Sequence, residues 1–259
     1  MLKKLILLGI LLMLGSDVFA AAYLVSPAEK TISDGGIAEI GSIAPGETAE
    51  LFFKKKSGEG FDWESIAVDD ATLPDGWVFL PGSNADAISA RLLVPADAPE
   101  STQLIGFEMR SPQGSLPFTA KFFVRRSLLT ISIKDLNRRA VVGEKLSYGL
   151  VAVNESIASH KVSVFSTLPS YWLKSQKLEL GPKQSRELSL EVLPRTYGER
   201  NFRFIVKSGL NGSQKEFQSN LSVSSTLQSK FSAPLFGFPF FSPTMISPYL
   251  LNSVLSLLS

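Results

Sequence analysis

The sequence predicts an all-β protein built as two tandem sandwiches, with a secretion signal ahead of them and an apolar tail behind. Three observations carry this reading. Beyond residue 23, short segments alternate apolar and polar residues between Gly, Pro, Asn and Asp punctuation, and there is no sustained heptad or 3.6-residue period. The motif Thr72-Leu73-Pro74-Asp75-Gly76-Trp77 returns 95 residues later as Thr167-Leu168-Pro169-Ser170-Tyr171-Trp172. The chain of 259 residues is long enough for two small domains, and its 44% hydrophobic and 19% charged content is too apolar for a disordered polymer.

The leader comes first. Lys3 and Lys4 precede an apolar run from Leu5 to Leu14 and then Gly15-Ser16-Asp17, the n-region and h-region of a signal peptide. Small residues at Val18-Phe19-Ala20 and Ala20-Ala21-Ala22 allow cleavage after Ala20 or Ala22, so residues 1–22 are assigned to the signal. The run is about half of the roughly twenty residues that a membrane-spanning helix needs. Export without any Cys points to a prokaryotic surface or periplasm-like setting.

The two sandwiches follow at residues 23–126 and 127–228. Strand patterns include Ala49-Glu50-Leu51-Phe52-Phe53, Ile88 to Val94 and Lys161 to Ser166, and later Leu188 to Val192 and Phe202 to Val206. Pro45-Gly46-Glu47-Thr48 before the strand at 49–53 is echoed by Val142-Gly143-Glu144-Lys145 before a strand at 146–153. Val94-Pro95 with Glu100 is echoed by Leu193-Pro194 with Glu199, and the small changes in offset are the loop-length differences that duplicated domains tolerate. A repeat of about 95 residues with some seven short strands fits an immunoglobulin-like sandwich, whereas propeller blades and solenoid repeats are shorter. Trp77 and Trp172, equivalent in the two copies, are expected to pack between the sheets.

The order Ala44-Pro45-Gly46-Glu47, Leu73-Pro74-Asp75-Gly76-Trp77 and Val94-Pro95-Ala96-Asp97-Ala98-Pro99 resembles the Ig-like module found beside the catalytic domains of some bacterial α-galactosidases (the NPCBM-associated type) and in prokaryotic surface proteins. The likeness covers 40–125 well and 140–208 more loosely, where Ser170-Tyr171 replaces Asp-Gly and Arg195-Thr196-Tyr197 stands in place of Ala-Asp-Ala-Pro. It implies an accessory β-sandwich in an extracytoplasmic protein and brings no catalytic residues with it.

Composition narrows the chemistry. The net charge is +2, or +1 once Lys3, Lys4 and Asp17 leave with the signal, so there is no basic footprint for nucleic acid. One His and no Cys exclude thiolate or multi-His metal sites and a Cys nucleophile, and no cofactor is expected. His160 is read as part of a solvated turn. Asp62, Glu64, Asp69, Asp70 and Asp75 are read as a solubilising face, because their spacing matches no calcium loop and a paired-carboxylate glycosidase needs a sugar-wide cleft. Lys54-Lys55-Lys56 is read as a charged strand end. Trp63 has no counterpart in the second copy and is the candidate for stacking on a sugar. Asn154, Asn211 and Asn220 begin glycosylation sequons.

The last segment, residues 229–259, carries no charge after Lys230 and is long enough to cross a bilayer, but Pro234, Pro239, Pro243 and Pro248 each remove a helical hydrogen bond, so a C-terminal anchor stands as the weaker alternative. Phe231, Leu235, Phe236, Phe238, Phe240 and Phe241 make it a candidate contact for a membrane surface or an envelope protein. The sequence therefore points to an exported, non-enzymatic, membrane-associated interaction protein that binds through sheet edges, loops and tail. Two rivals stand beside it: a pilus-type periplasmic chaperone, with Lys134, Arg138 and Arg139 as the nearest approach to a basic cleft, and a carbohydrate-binding accessory subunit.

Overall fold

A computed structural model describes residues 21–56, 62–209 and 213–225. The leader, Asn211 and the whole apolar tail from Phe231 onward lie outside the described residues. The chain divides into two compact units, Met1–Leu128 with Glu155–Ser159, and Leu129–Asn154 with His160–Ser259. The described residues of both are all-β.

Unit 1 holds β1 (Ala21–Ser26), β2 (Lys30–Ser33), β3 (Ile37–Ile43), β4 (Thr48–Lys54), β5 (Ser65–Val68), β6 (Val78–Ser83), β7 (Ala87–Leu93), β8 (Ser101–Ser111) and β9 (Gly114–Val124). They form one sheet in the order β2-β1-β4-β7-β6 and another in the order β3-β9-β8-β5. The period-2 pattern explains why they face each other: in β4, Ala49, Leu51 and Phe53 are buried while Thr48 and Lys54 are exposed. Strands β8 and β9 repeat the pattern with Ile105, Phe107 and Met109 against Leu116, Phe118, Ala120 and Phe122. Phe107 stacks on Phe118 at 5.5 Å, and Trp77 meets Phe122 edge-on at 6.3 Å.

Unit 2 holds β10 (Leu129–Ile133), β11 (Asn137–Val141), β12 (Leu146–Asn154), β13 (His160–Ser166), β14 (Gln176–Leu180), β15 (Ser185–Val192), β16 (Gly198–Ser208) and β17 (Gln214–Ser224). Its sheets run β10-β12-β15 and β11-β17-β16-β13-β14. Each unit contains a parallel pair, β3 with β9 and β11 with β17, among otherwise antiparallel ladders. This shared Greek-key connectivity makes both units immunoglobulin-like sandwiches.

The sequence repeat is also a structural repeat. Thr72 Oγ1 accepts the Gly106 N–H at 2.8 Å, and Thr167 Oγ1 accepts the Arg203 N–H at 3.0 Å, so each motif threonine ties its turn to the corresponding long strand of its unit, β8 or β16. The Trp77 N–H donates to the Pro74 carbonyl and the Trp172 N–H to the Pro169 carbonyl, and both indoles are buried. Gly46 and Gly143 adopt φ of 81° and 83°, the left-handed turn conformation that favours Gly. No neighbour crowds a Cβ at Gly143. Gly143→Ala should therefore cost unit 2 only the backbone penalty of about 1–2 kcal/mol, read as a lowered urea midpoint.

The copies differ at the strand that follows the motif tryptophan. β6 begins directly after Trp77 and pairs with β7, whereas β14 begins four residues after Trp172 and pairs with β13 in the opposite sheet. In unit 2 the Trp172 carbonyl accepts the Leu193 N–H, and buried Leu173 donates its N–H to the Pro169 carbonyl. The chain therefore turns once more beside the core before a strand can start, which gives it the length to change sheets.

Tyr148, fully buried on β12, packs edge-on to Phe204 at 5.0 Å. Burial pushes its phenol above the usual value of 10.0, against smaller opposing effects of a Ser219 hydrogen bond and the Arg138 charge. The folded state thus holds the proton more tightly than the unfolded chain does. The resulting stability is full below about pH 10 and falls as the pH rises through the unfolded and then the folded value. Alkaline denaturation should be shallower in Tyr148→Phe than in the wild type.

Candidate functional site

Trp63 is 1% exposed and belongs to the unit 1 core, with its backbone N–H donating to the Lys55 carbonyl, so its indole is not a platform for sugar. Its lack of a partner in the second copy reflects a local core difference. His160 is buried at the start of β13 opposite Leu180 rather than solvated in a turn. The residues before it, Glu155–Ser159, belong to unit 1, where Ile157 enters the core and its N–H donates to the Ser42 carbonyl. The strand therefore begins immediately at His160. Asn154 is also buried, with Nδ2 donating to the Gly181 carbonyl at 2.8 Å, which removes it from the glycosylation candidates. Asn220 lies half-buried on β17, and Tyr171, the neighbour of Trp172, is exposed.

Among the acidic residues of unit 1, Asp69 serves a turn. Asp69 receives the Ala71 N–H on Oδ1, and its carbonyl accepts the Thr72 hydroxyl and the Leu73 N–H. No group of three or more His, Asp or Glu is arranged to hold a metal among the described residues. Lys134 faces Glu187 at 3.9 Å and Arg138 faces Asp135 at 3.4 Å, so the cations expected near the domain junction sit beside carboxylates.

Two surfaces stand out that sequence reading did not single out. In unit 1, the outer face of β3, β9 and β8 presents Ile37, 68% exposed, Leu104, 52% exposed, and half-buried Phe123. Register places Ile37 opposite Thr119, Leu104 opposite Lys121 and Thr102 opposite Phe123, so the three apolar side chains sit on neighbouring rungs. Charge rims them. The Lys121 ammonium lies 4.8 Å and the Arg125 guanidinium 5.6 Å from the Phe123 ring centre, and Lys121 reaches Glu39 at 3.9 Å. At the far end, Arg110 bonds Glu108 at 2.6 Å and, with a further bond from Ser115, holds that carboxyl below its ordinary range. An outward strand position normally carries a polar residue, and Ile37 and Leu104 are the alternation breaks that mark this face.

In unit 2 the outer face of β11, β17 and β16 is polar. A groove of about 630 Å³ is lined by Asn137, Thr167, Asn201, Arg203, Gln218 and Asn220. Asn137 pairs with Asn220, and Asn220 pairs with Asn201.

No family model matches the chain, and no curated protein matches it. Among solved structures, it is similar to a chimeric titin Z1Z2 carrying an exogenous decorin peptide, at 12% identity over 80% of this chain and 99% of that one with a TM-score of 0.40. It is also similar to the D00-D0 domain of intimin, at 12% identity over 77% and 98% of the two chains with a TM-score of 0.29. A third likeness is to the CARDB domain of a Pyrococcus furiosus protein in complex with di-metal ions, at 24% identity over 37% and 87% with a TM-score of 0.29. At such identities no residue's role passes from these proteins to this chain.

Proposed function

We propose that the chain is an exported, non-enzymatic interaction protein of the cell surface or envelope, of the NPCBM-associated Ig-like kind that its motifs resemble. The apolar face of Ile37, Leu104 and Phe123 on unit 1 carries this reading. Exposed apolar side chains set among charged ones on a sheet face are a common anatomy of a protein contact. The apolar tail from Phe231 to Phe241 is the second contact, toward a membrane surface or an envelope protein. Export supplies the setting. Ala22, fully buried and paired with Ile32, belongs to the first strand ladder, which favours processing after Ala20 over processing after Ala22.

Fractionation of producing cells tests the reading. The protein should be recovered with the envelope, with an intact mass beginning at Ala21. The double variant Ile37→Glu, Leu104→Glu should move to the soluble fraction, with stability changed by no more than about 0.5 kcal/mol, as for other exposed sites. A wild type that is soluble from the outset would refute the proposal. If the variant stays bound while deletion of residues 231–259 releases the protein, the tail is the contact and the unit 1 face is not.

A further inference from the structure

We propose that the outer face of β11, β17 and β16 in unit 2 is a binding site for a neutral glycan. Asn is disfavoured in strands, yet Asn137, Asn220 and Asn201 occupy one line across three adjacent strands, and Gln218 faces Arg203 on the next rung. Core packing does not require these carboxamides, because Phe202, Phe204, Leu221 and Val223 on the same strands fill the interior.

The arrangement suits paired hydroxyls. Asn220 Nδ2 donates to Asn201 Oδ1 at 2.8 Å, a bond that engages neither Asn201 Nδ2 nor Asn220 Oδ1. A carboxamide offers both polarities on one rigid plane, as a vicinal diol does, so each amide can give and take one hydrogen bond with neighbouring sugar hydroxyls. Thr167 adds a third group, since its oxygen already accepts from Arg203 N–H and its own proton is free to point away.

The Arg203 guanidinium is held by the Glu216 carboxylate at 2.8 Å, so the rung carries no net charge to attract a phosphate or a uronate. Beside the groove, Phe165 is 40% exposed and pairs with Ile205, and the Lys207 ammonium lies 6.0 Å from its ring centre. The groove volume of about 630 Å³ lies within the range of small-ligand sites. An extended peptide is a poorer fit, because this is a sheet face whose backbone is already paired and it offers side-chain amides instead. The site is separate from the apolar face of unit 1 and does not depend on it.

Affinity electrophoresis of the whole mature chain through gels containing xylan, galactomannan, mixed-linkage β-glucan or dextran provides the test, with polygalacturonate as the charged counterpart. At least one neutral polysaccharide should retard the protein. Asn201→Ala and Asn137→Ala should each weaken that retardation at least tenfold without moving the melting temperature. Asn201→Asp keeps the side-chain shape and serves as the second variant; it should weaken binding as well, through its added charge. Retardation by none of the four, by polygalacturonate alone, or to the same degree in wild type and variants would overturn the proposal.

Discussion

Trp63→Ala is expected to cost unit 1 about 3–5 kcal/mol, the usual toll of emptying a buried aromatic site. The indole is among the largest fully buried side chains of the core, and the loss comes from both the transfer of its surface and the void left behind. Against total stabilities of about 5–15 kcal/mol, the change is large enough to shift the urea midpoint of unit 1 by much of its value at unchanged slope. Trp63→Phe should recover a substantial part. Wild-type denaturation in Trp63→Ala would mean that the indole lies at the surface.

The second large effect is expected at Glu47. Its carboxylate is 1% exposed, yet Oε2 accepts the Ala44 N–H at 2.8 Å and the Ser156 hydroxyl. Glu144 occupies the equivalent place in the second copy and is exposed, so the burial of Glu47 comes from the Glu155–Ser159 segment that covers it. Hydrogen bonds to a charged acceptor are worth about 1.5–3 kcal/mol each, and Glu47→Ala leaves two buried donors behind. A loss on the order of 3 kcal/mol should follow in denaturant titration, together with faster proteolytic cutting between Asn154 and His160. Ser156→Ala removes one partner and should cost less. Equal stability of Glu47→Ala and wild type would show that the carboxylate is solvated.

The fold was legible where the chemistry was periodic. Alternation located β4, β7, β13 and β16, and the paired Thr-Leu-Pro motifs placed two equivalent turns whose threonines and tryptophans do the same work in each sandwich. The sheet exchange of β14 was not legible, because it depends on the few residues after Trp172 and not on the motif itself. Trp63 and His160 were misplaced for a related reason. Both sit among polar neighbours, and burial there is decided by distant segments folding over them, which a local window cannot register. The carboxamide line of unit 2 left only scattered Asn residues in the sequence, since register alone brings positions 137, 201 and 220 together.

Ile157 has a consequence for how the protein is made. The core of unit 1 is completed by a side chain that lies well downstream of its other members, and Ser156 reaches Glu47 across 109 residues of chain. A polypeptide that emerges from a ribosome or a translocation pore from its N-terminus must expose an unfinished first core until the β12–β13 segment has appeared. Closure over so long a separation is slow compared with local hairpin formation. During that interval the first sandwich lacks the Ile157 side chain in its core and the Ser156 hydroxyl on Glu47, so its final stability is reached only after β10, β11 and β12 of the second have been made.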